Sequence, residues 1–175
     1  MLGGCGTVPT TPPAGGTEAS TVDSGAKCNT TFYNADYAFG FDLPSNADTL
    51  IETPDALFSR GWAFTFAGVR IGVSTRVEAS PPVPLADYVT GLSQHFSDVA
   101  GWETLSADAV QLSDGIPAYF VIMTPRVDGD LMWDYSLYTI VGPFLYRLSA
   151  SGAIEDLDDV VSDEASRILE SLCIE

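Results

Sequence analysis

The run Trp62-Ala63-Phe64-Thr65-Phe66-Ala67-Gly68-Val69-Arg70-Ile71-Gly72-Val73-Ser74-Thr75-Arg76-Val77-Glu78 decides how the rest of the chain is read. Val69, Ile71, Val73, Thr75 and Val77 point one way, and Arg70, Ser74, Arg76 and Glu78 the other. That two-residue period belongs to a strand with one buried face. Trp62, Phe64 and Phe66 alternate in the same manner. Ala67-Gly68 lies between the two runs, so they should pair as an antiparallel hairpin.

Upstream, Tyr37 to Pro44 reads as another strand, with Phe39, Phe41 and Leu43 on one face and Pro44 stopping it. Downstream, Pro81, Pro82 and Pro84 break the pattern and lead into a helix over about residues 85–99. Leu85, Tyr88, Val89, Leu92, Phe96 and Val99 form its apolar stripe. The alternating pattern then returns. Leu105 to Leu112 meets an Asp114-Gly115 turn, Pro117 to Thr124 leads to Asp128-Gly129, and Leu131 to Val141 ends at Gly142-Pro143. Phe144 to Ser149 is expected to close the sheet. A second helix follows over about residues 157–172, its stripe made of Leu157, Val160, Val161, Ile168, Leu169 and Leu172.

Strands, a helix, more strands and a helix make an α+β domain: a mainly antiparallel sheet with packed helices. One strand is apolar on both faces. Trp133 and Tyr135 share a face with Leu131 and Leu137, while Met132, Tyr138 and Ile140 surround Asp134 and Ser136 on the other. Such a strand belongs in the middle of a sheet covered on both sides.

The 175 residues suit one domain and a tail, and no apolar run approaches the length of a membrane-spanning helix. A core of this size needs no cofactor to fold. Seven basic residues face 24 acidic ones, a net charge of −17, and Lys27 is the lone lysine. A field of that sign repels nucleic acid and anionic lipid headgroups and favours cations or a basic protein surface. Solubility alone is the plainer explanation.

Leu2-Gly3-Gly4-Cys5 has the form of a lipobox: leucine, two small residues, then the cysteine whose thiol takes a diacylglycerol. The charged start and apolar stretch of a signal peptide do not precede it, which suggests a truncated or reassigned Met1. Gly6 to Ala26 is rich in Gly, Pro, Thr and Ser and is expected to be a disordered tether. Residues 1–27 are therefore read as lipobox and tether, and 28–175 as the folded domain. The alternative is an ordinary N-terminus with a chance cysteine. Setting Cys5 aside leaves Cys28 and Cys173, near the two ends of the domain. Outside the cytoplasm they should form a disulfide if their Cα atoms lie within about 7 Å. Two buried free thiols are the other reading.

Tyr37-Ala38-Phe39-Gly40-Phe41-Asp42-Leu43-Pro44 resembles the opening strand of the PsbP/MOG-like fold. Further landmarks follow in the same order: Asp87-Tyr88 in the first helix, Gly115-Ile116-Pro117-Ala118, Tyr146-Arg147-Leu148, and Ile168-Leu169-Glu170-Ser171-Leu172. The resemblance spans about residues 32–173 and extends to LpqN-type envelope lipoproteins. It implies an α-β-α sandwich used for binding, with no family active site to carry over. Photosystem subunits and a binder of a nuclear GTPase share that fold, but a lipobox points to the lipoprotein branch.

No catalytic motif stands out: there is no G-x-S-x-G, H-E-x-x-H, P-loop or C-x-x-C, and His95, the lone histidine, flanks a helix stripe. No enzyme, resident metal or cofactor is expected. Asp128-Gly129-Asp130 with Asp134 lacks the alternating oxygens of a calcium loop and reads as a hairpin turn. Glu155, Asp156, Asp158, Asp159, Asp163 and Glu164 crowd the start of the last helix, more carboxylates than its dipole calls for. Asp156, Asp158, Asp159, Asp163 and Glu164, with an exposed Trp102 beside Gly101, are the candidate partner-binding residues. The expectation is a monomeric, non-catalytic envelope lipoprotein that sits outside the cytoplasm, held to the membrane by its lipid. Its domain would bind another envelope protein. A small-ligand or calcium carrier is the alternative.

Overall fold

Ala67 and Gly68 both adopt positive φ, 50° and 86°, the left-handed pair that lets a two-residue loop follow the twist of its strands. The loop sits where the sequence placed it, in a computed structural model that describes residues 28–51 and 56–175. Cys5 and the tether lie outside the described residues. In chain order the elements are β1 (Phe32–Asn34), β2 (Phe39–Phe41), β3 (Asp48–Ile51), β4 (Phe58–Phe66), β5 (Val69–Ala79) and α1 (Leu85–Ala100). There follow β6 (Glu103–Gln111), β7 (Pro117–Thr124), β8 (Arg126–Val127), β9 (Asp130–Val141) and β10 (Phe144–Ala153). A short 3-10 turn at Ile154–Asp156 precedes α2 (Asp159–Glu170) and β11 (Cys173–Ile174).

The large sheet is antiparallel in the order β3-β4-β5-β10-β9-β7-β6, with β8 pairing the start of β9. The strand from Phe144 therefore does not close the sheet. It lies at its centre, joining the β4–β5 hairpin to the β9–β7–β6 meander, and it runs on to Ala153. β9 is interior, as its two apolar faces required: residues 133–139 are all buried.

Each face has its own cover. On one, Val89 of α1 packs with Val121, Met123 and Tyr138, flanked by Leu85, Tyr88, Leu92, Phe96 and Trp102. Val99 lies outside the described side chains. On the other, Val161, Ala165, Ile168 and Leu169 of α2 join Phe39, Phe41, Trp62, Val73, Trp133 and Leu148 in the main core. The chain is thus the expected α+β sandwich, helix on either side of the sheet.

Four details differ from the sequence reading. Only Phe39–Phe41 of the first predicted strand is extended, because Ala38 takes a positive φ of 51° and turns the chain before it. That strand joins not the large sheet but a small one, in the order β1-β2-β11. The last helix stops at Glu170 rather than 172, so that Cys173 and Ile174 can pair with Gly40 and Phe39. Val160 is 53% exposed and no part of the buried stripe, since Val161 and Ala165 already fill the face against the sheet. The Cys28–Cys173 disulfide forms, with Cα atoms 5.7 Å apart, and ties the first described residue to β11.

Candidate functional site

Where a helix covers only part of a sheet face, concavities open among the described residues, and two of them are lined by helix and sheet together. α2 packs over β9 and β10, so the β6–β7 end of its face stays open. A groove of about 510 Å³ lies there. Val110, Leu112, Phe120 and Leu137 form its apolar floor; Asp108 on β6 and Ser166 and Glu170 on α2 stand around it. Asp159 and Asp163 precede Ser166 and Glu170 at four- and three-residue helical spacings, so an acidic strip runs along this side of α2. Among the described residues β6 ends the sheet, its outer backbone groups without a strand neighbour next to the groove.

The acidic residues expected to bind a partner separate by role. Asp158 is the cap of α2, its Oδ1 accepting from the Val161 N–H at 2.9 Å. Glu164 accepts two hydrogen bonds from Arg167, at 2.7 and 2.9 Å. That pairing is the first cause holding the Arg167 guanidinium above its ordinary range. Asp156 is exposed in the 3-10 turn, while Asp159 and Asp163 are exposed on α2 itself. Trp102 is half-buried rather than exposed. Its ring stacks on Phe96 at 4.5 Å because the left-handed Gly101 turns the chain back under α1. Trp102 and the acids are also not brought together: they lie on opposite sides of the sheet. His95 is exposed, and Asp128 takes the positive-φ corner of the expected β8–β9 turn.

On the α1 face the register assembles a polar cluster that the sequence reading missed. Arg147 on β10 donates through Nη2 to both carboxylate oxygens of Asp134, each at 3.3 Å. It also donates to Ser136 Oγ from Nε at 3.2 Å and from Nη2 at 3.0 Å. Ser136 in turn donates to Asp134 Oδ1. The guanidinium carbon lies 5.6 Å from the centre of the Tyr138 ring. Burial alone would lower the Arg147 guanidinium, but Tyr138 and Asp134 outweigh it and keep it cationic. The available signal was Asp134 and Ser136 recurring at two-residue spacing among apolar neighbours. Finding their partner needed the β9–β10 register.

Among the described residues no three His, Cys, Asp or Glu side chains gather to hold a metal, and no helix is long and apolar enough to cross a membrane. The arrangement offers two surfaces for recognition, the groove beside α2 and the arginine cluster under α1. Comparison with solved structures then decides the architecture. Cyanobacterial PsbP (CyanoP) from Synechocystis sp. PCC 6803 superposes with a TM-score of 0.65 at 13% identity, over 82% of this chain and 91% of that one. The fold is PsbP-like. LpqN of Mycobacterium tuberculosis, a protein involved in cell envelope biogenesis, gives a TM-score of 0.58 at 15% identity, over 82% of this chain and 88% of its own. A Pseudomonas aeruginosa protein of unknown function gives 0.55 at 16%, over 75% and 96%. No family model and no curated protein matches the sequence. In PsbP-like terms the acidic groove is bounded by the sheet edge β6 and the last helix, and the arginine cluster lies under the first.

Proposed function

We propose that this chain is a non-catalytic lipoprotein of the cell envelope, anchored through Cys5, whose PsbP-like domain binds another envelope protein in the groove beside α2. The groove carries the reading. It combines an apolar floor, an acidic wall and a sheet edge unpaired among the described residues, which suit an extended segment with an apolar anchor flanked by lysine or arginine. Two observations support the compartment. The Cys28–Cys173 bond is of the kind that persists outside the cytoplasm, and LpqN, which shares the fold, is an envelope protein.

A photo-crosslinker placed at Gln111, in the groove, and separately at Arg126, on β8, tests the site in living cells. One dominant protein adduct should form from Gln111 only, fade in high salt, and vanish with Asp163→Lys/Glu170→Lys. The same adducts from both positions would defeat the proposal. Intact mass of the cell-derived protein tests the anchor separately: a diacylglyceryl increment on Cys5 is expected, and a free Cys5 thiol would remove it.

A further inference from the structure

The second concavity lies on the opposite face of the sheet and stands or falls independently of the α2 groove. It is a cavity of about 120 Å³ between α1 and strands β5, β9 and β10. Arg76, Glu78, Tyr88, Tyr138 and Arg147 form its polar wall, and Leu92, Phe96 and Leu145 its apolar one.

The polar wall is unusual in three respects. First, Arg76 and Arg147 are direct cross-strand partners, two cations side by side in a chain of net charge −17. Like charges directly opposite repel unless something negative lies between or beside them. Glu78 pairs with Arg76, and Asp134 with Arg147, so each cation is only partly answered. Arg147 Nη1 takes no part in the cluster around Asp134 and Ser136. Second, Tyr138 is 2% exposed, and among the described residues its hydroxyl makes no hydrogen bond of sound geometry, Ser136 being its polar neighbour. Ser136 cannot serve it, since its proton is given to Asp134 and its oxygen accepts from two Arg147 nitrogens. A buried hydroxyl left unpaired is a rarity that calls for an occupant. Third, Tyr88 lines the same wall as the two guanidiniums, and while burial and Glu78 raise its hydroxyl, Arg147 and Arg76 oppose the rise.

Unanswered donors need an acceptor, and two cations favour an anionic one. Glu78 at the rim disfavours a doubly charged oxyanion. The volume equals that of about four liquid waters, and the wall of Leu92, Phe96 and Leu145 suits hydrocarbon. We propose that this cavity binds a carboxylate with a short apolar substituent. The carboxylate sits between Arg76, Arg147 and the Tyr138 hydroxyl, and the substituent lies against Leu92, Phe96 and Leu145.

Titration of the oxidised 175-residue chain with isovalerate, followed by amide chemical shifts, tests this. Saturable shifts around α1 and β10 are expected, with isovaleramide at least about tenfold weaker. Tyr138→Phe should weaken isovalerate by about tenfold or more, the loss of one hydrogen bond to a charged group. Arg76→Gln should weaken it comparably. Tyr138→Phe should also unfold at or above the parent's midpoint, because its hydroxyl satisfies nothing inside the protein; a clear fall in stability would mean a hidden partner and would overturn the proposal. A tetrapeptide ending in leucine carboxylate separates the sources. Tighter binding of the peptide assigns a polypeptide chain end, and tighter binding of isovalerate a free small acid. No saturation by either, equal binding of the amide, or an unaffected Tyr138→Phe would each sink it.

Discussion

At the scale of single residues, Arg147 and Asp134 show how a charge is kept inside a sheet. Their side chains are 26% and 12% exposed, so neither is fully hydrated and each answers for the other. Removing one partner of a buried pair costs about 3–5 kcal/mol, and partial exposure here lowers the expectation for Arg147→Met to about 2–4 kcal/mol. Most of that loss is the stranded Asp134. Arg147→Met/Asp134→Leu should therefore recover at least half of it in urea unfolding, and a double variant as unstable as the two singles combined would show that the pair is not coupled. Burial raises the Tyr138 hydroxyl above its ordinary value of 10.0, with Arg147 opposing. The stability linked to it is then complete below pH 10 and falls as pH rises toward the folded value, since the unfolded chain gives up that proton first. Phenolate absorbance should reveal one tyrosine that ionises only as the protein unfolds, and Tyr138→Phe should abolish that step. Gly152 faces a different constraint. A Cβ there would lie 2.9 Å from the Trp133 ring, so Gly152→Ala should cost about 1–3 kcal/mol and perturb tryptophan emission.

At the scale of elements, α2 separates structural carboxylates from available ones. Asp158 caps the helix, so Asp158→Ala should lower stability by about 1 kcal/mol. Asp163→Asn removes an exposed charge that has no cap or ion pair among the described residues, and should change it by less than about 0.5 kcal/mol. If both behave alike, the division of roles is mistaken. The sequence showed this cluster as one group, because composition counts charges without their partners. The long strands were legible for the opposite reason: alternation in Val69–Ala79 and the double-faced pattern of Asp130–Val141 follow from burial, which is written residue by residue. β1, β3 and β11 were not legible. They run three, four and two residues, too short for any period to register, and are extended only because a neighbour pairs them. The candidate sites were hidden for a kindred reason. The groove draws on β6, β7, β9 and α2, and the carboxylate cavity on α1, β5, β9 and β10, so both depend on register rather than on any local run.

At the scale of the whole molecule, the small sheet acts as a clasp between the two ends of the described domain, Cys28 and Glu175. β11 pairs with β2, the Glu175 N–H donates to Ala38, and the Glu175 side chain accepts from the Cys28 N–H at 2.8 Å. The disulfide lies inside this clasp and spans 145 residues of sequence. A cross-link of that span restricts the unfolded chain far more than the folded one, by about 5 kcal/mol in the chain-entropy account. The folded ends are also held by hydrogen bonds, so the native state should survive without the bond. Cys28→Ser/Cys173→Ser should accordingly fold to the same domain but lose about 2–5 kcal/mol in urea unfolding. Because net charge is −17, self-repulsion adds to the strain on the uncross-linked chain, and salt should recover part of the loss by screening it. A double variant as stable as the parent would mean that the clasp alone holds the ends. One that is unfolded even in high salt would mean that the sheet β1-β2-β11 forms only when the bond has closed.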